Sequence, residues 1–288
     1  MSLAIRNVEV FHQSSRRALM ERALEPHILL GMPQLTPFGL SETWLMKELG
    51  HRHWLMLARR MGMDDADFRT ADGAETYAAI CATSLTNAQL DRARPNQVLS
   101  IQSVLEPVSK TQVSSRHRLL VDGEAIGDVE LLSAFVRRTR EHDNVSIARV
   151  ELPGAHRFPM RLENALARIA SDIRNGRCET HLGMAVTGRD VLRDFRFQPA
   201  ASQEFNGAGL LYFAHFQAFV ARAFESWFPD GAFRNISRRD SFFLGNAAIG
   251  ESLSVELTVM DRETMSAACS LRRSNGALIG HVFLTASH

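Results

Sequence analysis

Cysteine, tyrosine, long apolar runs and charge of one sign are what this 288-residue chain has least of. The three cysteines, Cys81, Cys178 and Cys269, are far apart, odd in number and outside any C-x-x-C spacing. That argues against a disulfide framework and a zinc site, and suits a reducing, cytoplasmic setting. Charge is balanced, 33 Lys+Arg against 32 Asp+Glu, with no basic block, so nucleic acid has no electrostatic claim. No apolar run reaches the length of a membrane span, and the N-terminus lacks a signal-peptide core. The expectation is a soluble protein that engages no membrane. Tyrosine occurs only at Tyr77 and Tyr212, so any role that needs a phenol has two candidates.

What the chain does have is an internal repeat. Leu99-Ser100-Ile101 returns as Leu253-Ser254-Val255, an offset of 154 residues. Asp122-Gly123 and Ile126-Gly127-x-Val129 return as Asn275-Gly276 and Ile279-Gly280-x-Val282, an offset of 153. Upstream, Gly39-Leu40 and Gly209-Leu210 each open an apolar, helix-like stretch. Two copies of one unit predict a pseudo-dimer, with the functional site where the copies meet.

Periodicity assigns the elements. Ser41 is a plausible N-cap for a helix ending near Arg60, with Glu42 early and Arg59-Arg60 in the last turn. From Leu210 to Trp227 apolar residues cover almost every face, the pattern of a helix buried all round. Leu253, Val255, Leu257 and Val259 alternate with polar residues, as in a half-buried strand. Asp122-Gly123 and Asn275-Gly276 suit type I′ hairpin turns. A long helix followed by an antiparallel meander, twice over, predicts an α+β double hot-dog fold. It divides into an N-terminal unit over 1–140, a linker with a helix over 141–190 and a C-terminal unit over 191–288. Residues 1–35 read as a leading segment. The stretch 141–200 has no counterpart in the repeat; Glu151–Arg161 reads as a loop and Arg161–Arg174 as a linker helix.

The segment Glu204–Phe216 reads EFNGAGLLYFAHF. It resembles the motif of hot-dog acyl-CoA thioesterases in which an acidic residue lies three positions before Gly-x-x-Tyr. Here Asn206 takes the acidic place, ahead of Gly209 and Tyr212. An amide cannot activate water, but it can donate a hydrogen bond to an oxyanion, as can the unsatisfied N–H groups of a helix start. That disfavours ordinary hydrolysis at this half-site and favours chemistry needing oxyanion stabilisation without a base, such as decarboxylation of a malonyl-type thioester. The plain alternative is that Asn206 is an N-cap and the glycines form a tight turn.

Gly39–Trp54, Asn206–Phe216 and Arg238–Asn246 together resemble a small family of bacterial biosynthetic proteins related to the bifunctional acyltransferase/decarboxylase of the leinamycin pathway. The resemblance implies an enzyme that decarboxylates methylmalonyl-CoA and passes the acyl group to an acyl carrier protein. Its essential tyrosine maps best to Tyr77, in Gly73-Ala-Glu-Thr-Tyr-Ala-Ala79. Tyr77 and Asn206 are then the catalytic candidates, with Tyr77 orienting the carboxylate, protonating the enolate or accepting the acyl group. The helix starts at Gly39, Leu40 and Ser41 or at Asn206–Gly209 would bind the thioester. Arg238 could meet a coenzyme A or pantetheine phosphate, against the plainer reading of a surface charge cluster. No metal and no redox cofactor is implied; the substrate is a coenzyme A thioester or a phosphopantetheine-bound acyl group. The partners are acyl-CoA and an acyl carrier protein, and a homodimer is compatible with the fused pair.

Two rival readings stand beside this one. A thioesterase or dehydratase would use Glu42 or His51 as base, although Glu42 also suffices as a dipole-complementing residue. A non-catalytic acyl-binding module would turn nothing over. His51 and His53, two apart, fall on different helix faces and make a poor metal pair. Tyr212 reads as a packing residue.

Overall fold

In the computed structural model residues 14–141, 143–151, 163–188 and 190–287 are described. Residues 1–13 of the leading segment and nearly all of the loop expected over 151–161 lie outside that set. Helix α1 (Arg16–Ala23) and strand β1 (His27–Leu29) lead through a ribbon of β2 (Leu35–Thr36) and β3 (Gly39–Leu40) into the long helix α2 (Glu42–Arg60). Strands β4 (Tyr77–Thr86), β5 (Val98–Ser109), β6 (Gln112–Val121), β7 (Glu124–Arg138) and β8 (Ile147–Arg149) follow. Then come α3 (Ala165–Arg174) and a ribbon of β9 (Thr180–His181) and β10 (Met184–Ala185). The second half comprises β11 (Arg193–Phe197), α4 (Ala201–Glu204), α5 (Phe216–Trp227), β12 (Ile236–Phe243), β13 (Leu253–Asp261), β14 (Ser266–Arg273) and β15 (Leu278–Ala286).

The main strands form one antiparallel sheet in the order β1-β5-β6-β7-β4-β12-β15-β14-β13-β11, with β8 paired to β7. The two halves meet at β4–β12, where Ser84 stands opposite Asp240. Their strand orders mirror each other across this seam. One core runs through both: Leu45 and Leu49 of α2 and Phe216 and Phe219 of α5 pack with Leu99, Leu131, Val255 and Val282 of the sheet. Each such side chain contributes about 1.5–3 kcal/mol by leaving water. On the other face of the seam, Leu166, Ala170 and Ile173 of α3 cover Ala82, Phe242 and Phe283. The linker helix thus seals the back of the junction, starting four residues later than its sequence pattern suggests. This is a double hot-dog fold, as the repeat predicts. Among the described residues no helix is long and apolar enough to cross a membrane.

The repeat extends further than its sequence signal. Strand β11 pairs with β13 as β1 pairs with β5, so part of 141–200 does have a counterpart. The loops before the helices also match: Leu35 pairs with Leu40, and Phe205 bridges Leu211. In each loop the first residue of the next segment, Ser41 or Tyr212, donates its N–H to Gln34 or Glu204 respectively.

Two local expectations change. Helix α2 begins as read, its Ser41 hydroxyl capping the Trp44 N–H at 3.2 Å. The second helix does not start at Leu210. The chain stays extended through Tyr212, turns once as a 3-10 helix at Phe213–His215 and becomes α-helical only at Phe216. The bridge to Phe205 and the Asn246 side chain claim the backbone of Leu211 first. Of the two hairpin turns, Asp122-Gly123 has both φ angles positive (49° and 90°), as type I′ requires. At Asn275-Gly276 only Gly276 does (83°), because the strands close around the longer loop 274–277.

Candidate active site

Each half lends its pre-helix loop to the other half. Two cavities form a pair across the halves; the larger of this pair, about 720 Å³, is lined by Asn206–Ala208 and Leu210–Phe213 of the second half. Its opposite wall is Glu75 and Tyr77–Cys81 from β4, with Gly50, His51 and Trp54 of α2. The smaller, about 500 Å³, reverses the roles: Leu40–Thr43 of the first half faces Asn235, then Ile236 and Arg239 of β12, with Gln217, Ala218 and Ala221 of α5. The cavities are related by the same pseudo-two-fold as the sheet.

Tyr77 and Asn206, distant in sequence, both line the larger cavity. Arg138, at the end of β7, ties their segments together. Its Nη1 donates to Tyr77 Oη at 3.3 Å and its guanidinium lies 5.6 Å from the phenol ring centroid. Its Nη2 donates to the Ala208 carbonyl and to Asn144 Oδ1, the latter at 2.8 Å. Asn144 in turn donates to the carbonyls of Gly209 (2.6 Å) and Ala247 (3.0 Å). Tyr77 Oη donates to a Glu75 carboxylate oxygen. Burial first, and then Glu75, raise the Tyr77 pKa, so the phenol rests protonated.

Asn206 Oδ1 accepts from the N–H groups of Ala208 (3.1 Å) and Leu210 (3.0 Å), an Asx-type turn that holds the loop. The Nδ2 group donates to no described residue. The side chain therefore shapes the loop with its oxygen and leaves its donor end to the cavity. Gly209 has φ 70° and gives its carbonyl to Asn144; it is the neighbouring residues that line the wall. Tyr212 also lines this cavity, with burial pushing its pKa up to about 12. Gly50 of α2 lies directly against the second half: a Cβ there would stand 2.8 Å from the Phe213 ring.

The remaining sequence candidates fall elsewhere. Leu40 and Ser41 line the smaller cavity, with Glu42. Gly39, at φ 110°, packs its Cα against the backbone of Leu90 and Asp91; it borders neither of these cavities but a third, more open one of about 700 Å³ beside Leu35–Phe38 and Ala93–Pro95. Arg238 lines neither of these cavities. Alternation along β12 turns it to the opposite sheet face, where it pairs with Asp240 at 2.9 Å. Its neighbour Arg239 points the other way, into the smaller cavity, and pairs with Glu42 at 3.3 Å. Burial raises the Glu42 pKa, against the opposing pull of Arg239. His51 is exposed at the wall of the larger cavity. His53 is buried between the hydroxyls of Ser115 (2.7 Å) and Ser133 (2.8 Å), and burial pulls its pKa down to about 3.

Arg138 and Asn144 escape a sequence reading. Glu75 and Asn246 sit inside segments that carry the family resemblance, which was their only signal. Arg138 follows Arg137 at a strand end and looks like ordinary surface charge until the fold brings Tyr77 beside it.

No protein-family model matches the sequence, and no curated protein matches it. The fold does have solved relatives. An acyl-ACP thioesterase from Bacteroides thetaiotaomicron superposes with TM-score 0.63 at 10% identity, over 91% of this chain and 96% of that one. A 12:0-ACP thioesterase from Umbellularia californica gives 0.57 at 11% identity, over 90% and 95%. A putative oleoyl thioesterase from Lactobacillus plantarum gives 0.59 at 8%, over 91% and 96%. At such identities the likeness is one of fold: these are double hot-dog chains of nearly the same extent.

Proposed function

We propose that this chain is a biosynthetic acyl-thioester enzyme that decarboxylates a malonyl- or methylmalonyl-CoA-type substrate and hands the acyl group to an acyl carrier protein. One observation carries the reading: the tyrosine and the amide singled out in two different halves line a single cavity, and Arg138 joins their segments. The solved structures of like fold are named for acyl-ACP thioesterases, which supports a thioester substrate class here. The step they are named for needs a base aimed at water. In the larger cavity the acid of the thioesterase-like motif is an amide, and Glu75 is already engaged by Tyr77.

The chemistry follows from these groups. The bond from Cα to the carboxylate breaks, its electron pair becomes an enolate, and carbon dioxide leaves. Asn206 Nδ2 donates to the enolate oxygen, stabilisation worth most where water is excluded. A proton from water completes the acyl group. Tyr77 Oη then attacks the thioester carbonyl while Glu75 takes the phenolic proton and passes it to the departing coenzyme A thiolate. Arg138 offsets the negative charge that develops on the oxygen. The carrier thiol attacks the aryl ester in the reverse sense and regenerates the phenol. At the rim, the exposed Arg149 and Arg174 suit the phosphate of either thioester arm.

The test is intact-protein mass spectrometry with methylmalonyl-CoA and a holo-carrier protein. Carbon dioxide release, a transient propionyl adduct on the enzyme and a propionylated carrier are expected, and Tyr77→Phe should abolish the adduct and the transfer. Transfer at an unchanged rate by Tyr77→Phe would sink the assignment.

A further inference from the structure

The smaller cavity joins a half-engaged buried cation to an aromatic wall. Arg239, 6% exposed, lines the cavity, and only one end of its guanidinium has partners. Nη1 donates to the Gln217 carbonyl at 3.4 Å and stands 3.3 Å from Glu42 Oε2. Nε is buried without a hydrogen-bond partner, and Nη2 donates to no described residue. The Nε–Nη2 edge is the fork that a planar carboxylate engages through two parallel hydrogen bonds. A buried N–H without an acceptor costs free energy that a ligand oxygen restores. Glu42 is an incomplete counterion: it meets Nη1 alone, and burial raises its pKa against the pull of Arg239. The other charged lining residues, Asp91, Glu225 and Arg234, are exposed and screened by water. The apolar wall is Phe224, Phe228 and Phe233, packed on one another with ring centroids 5.3–6.0 Å apart.

We infer that this cavity is a binding site for a free aromatic monocarboxylate, an aryl ring joined to its carboxylate by a short chain. The carboxylate sits on the Nε–Nη2 edge of Arg239, and the ring lies against Phe224, Phe228 and Phe233, extending their edge-to-face packing. Glu42 is the competitor: its charge and that of the ligand are drawn to one guanidinium and repel each other. Binding is reversible, and no covalent bond forms or breaks. The larger cavity offers no such fork, because the Arg138 guanidinium is already engaged by Tyr77, Asn144 and the Ala208 carbonyl. The inference does not depend on which reaction the larger cavity performs.

Isothermal titration calorimetry of the full-length chain with 3-phenylpropionate provides the test. A dissociation constant below about 1 mM is expected. The alcohol 3-phenylpropan-1-ol, which keeps the ring and lacks the charge, should bind at least about tenfold more weakly. Arg239→Gln should weaken binding of the acid at least about tenfold, since it removes the fork. Glu42→Gln should tighten it about threefold or more, since it removes the competing anion. Should Arg239→Gln fold poorly, Ala221→Trp serves instead: it fills the cavity from the α5 surface and should weaken binding by about the same factor. No binding to the parent chain, equal affinity for the alcohol, or full affinity in Arg239→Gln or Ala221→Trp overturns the inference. Weaker binding to Glu42→Gln overturns it too, because Glu42 would then hold the ligand rather than compete with it.

Discussion

The two cavities use the same construction and different chemistry. Each takes a loop from one half, and strand and helix residues from the other. In the larger, the Tyr77 phenol and the Asn206 amide share the wall with the one lining carboxylate, Glu75, which is bound to that phenol, while Arg138 holds Tyr77 from outside the lining. In the smaller, a carboxylate and a guanidinium face each other at a helix start. A homodimer of single hot-dog units would carry two identical sites. Fusion frees each to diverge, because one change in sequence alters one site only.

The sharpest way to break this comparison is at its catalytic ends. Tyr77→Phe removes one oxygen from a site where Glu75 and Arg138 were arranged around it, so transfer should fall at least about 10³-fold, as when a covalent nucleophile is deleted. Asn206→Asp is subtler. Its oxygens can still accept from Ala208 and Leu210, so the loop is kept, but the free amide donor is gone. Loss of one oxyanion donor predicts a decarboxylation rate lower by about 10²–10³. An Asn206→Asp variant that decarboxylates at the parent rate in a carbon dioxide release assay would remove Asn206 from the mechanism.

Next in size comes the matched pair of loop glycines. A Cβ on Gly39 would stand 2.2 Å from the Leu90 carbonyl oxygen, whereas on Gly209 the nearest atom is Arg138 Nη2 at 3.9 Å. Both have positive φ. Gly209→Ala should cost only the backbone strain, about 1–2 kcal/mol, and Gly39→Ala that strain plus a backbone clash, about 3 kcal/mol or more. Urea unfolding of the two variants measures the difference directly; equal losses would mean that the 90–92 turn yields freely.

Most of the fold was legible because duplicated hairpins repeat their turn residues and strand alternation. What was lost was lost for physical reasons. The start of α5 was misread because Leu210–Tyr212 is as apolar as the helix after it, and only the bridge to Phe205 and the hydrogen bonds of Asn246 hold it extended. Arg238 and Arg239 are chemically alike in sequence, yet strand alternation sends one to each face. Tyr77 and Asn206 could be named singly; that they share a cavity depends on Arg138 and Asn144, which look like surface polar residues until the β4–β12 seam closes.

The smallest effect compares the buried histidines of the two halves. In the first, Ser133, His53, Ser115, His117 and Ser103 form one hydrogen-bonded chain. In the second, Ser270 and His281 form a single pair at 3.1 Å. Burial pulls His53 and His117 down to about 3 and His281 to about 4, from an ordinary 6.5. A folded-state pKa below the unfolded one means that the unfolded chain binds the extra proton. Stability is therefore full above pH 6.5 and is lost as pH falls toward the folded value. At about 1.4 kcal/mol per pH unit, each such histidine removes about 2 kcal/mol by pH 5. His53→Gln keeps an amide near both serines and titrates nowhere in this range. The fall in unfolding free energy from pH 7 to pH 5 should shrink by about 2 kcal/mol in that variant, whatever its stability at neutral pH. An unaltered slope would mean that His53 charges freely inside the fold, and that the serine chain accommodates imidazolium as readily as imidazole.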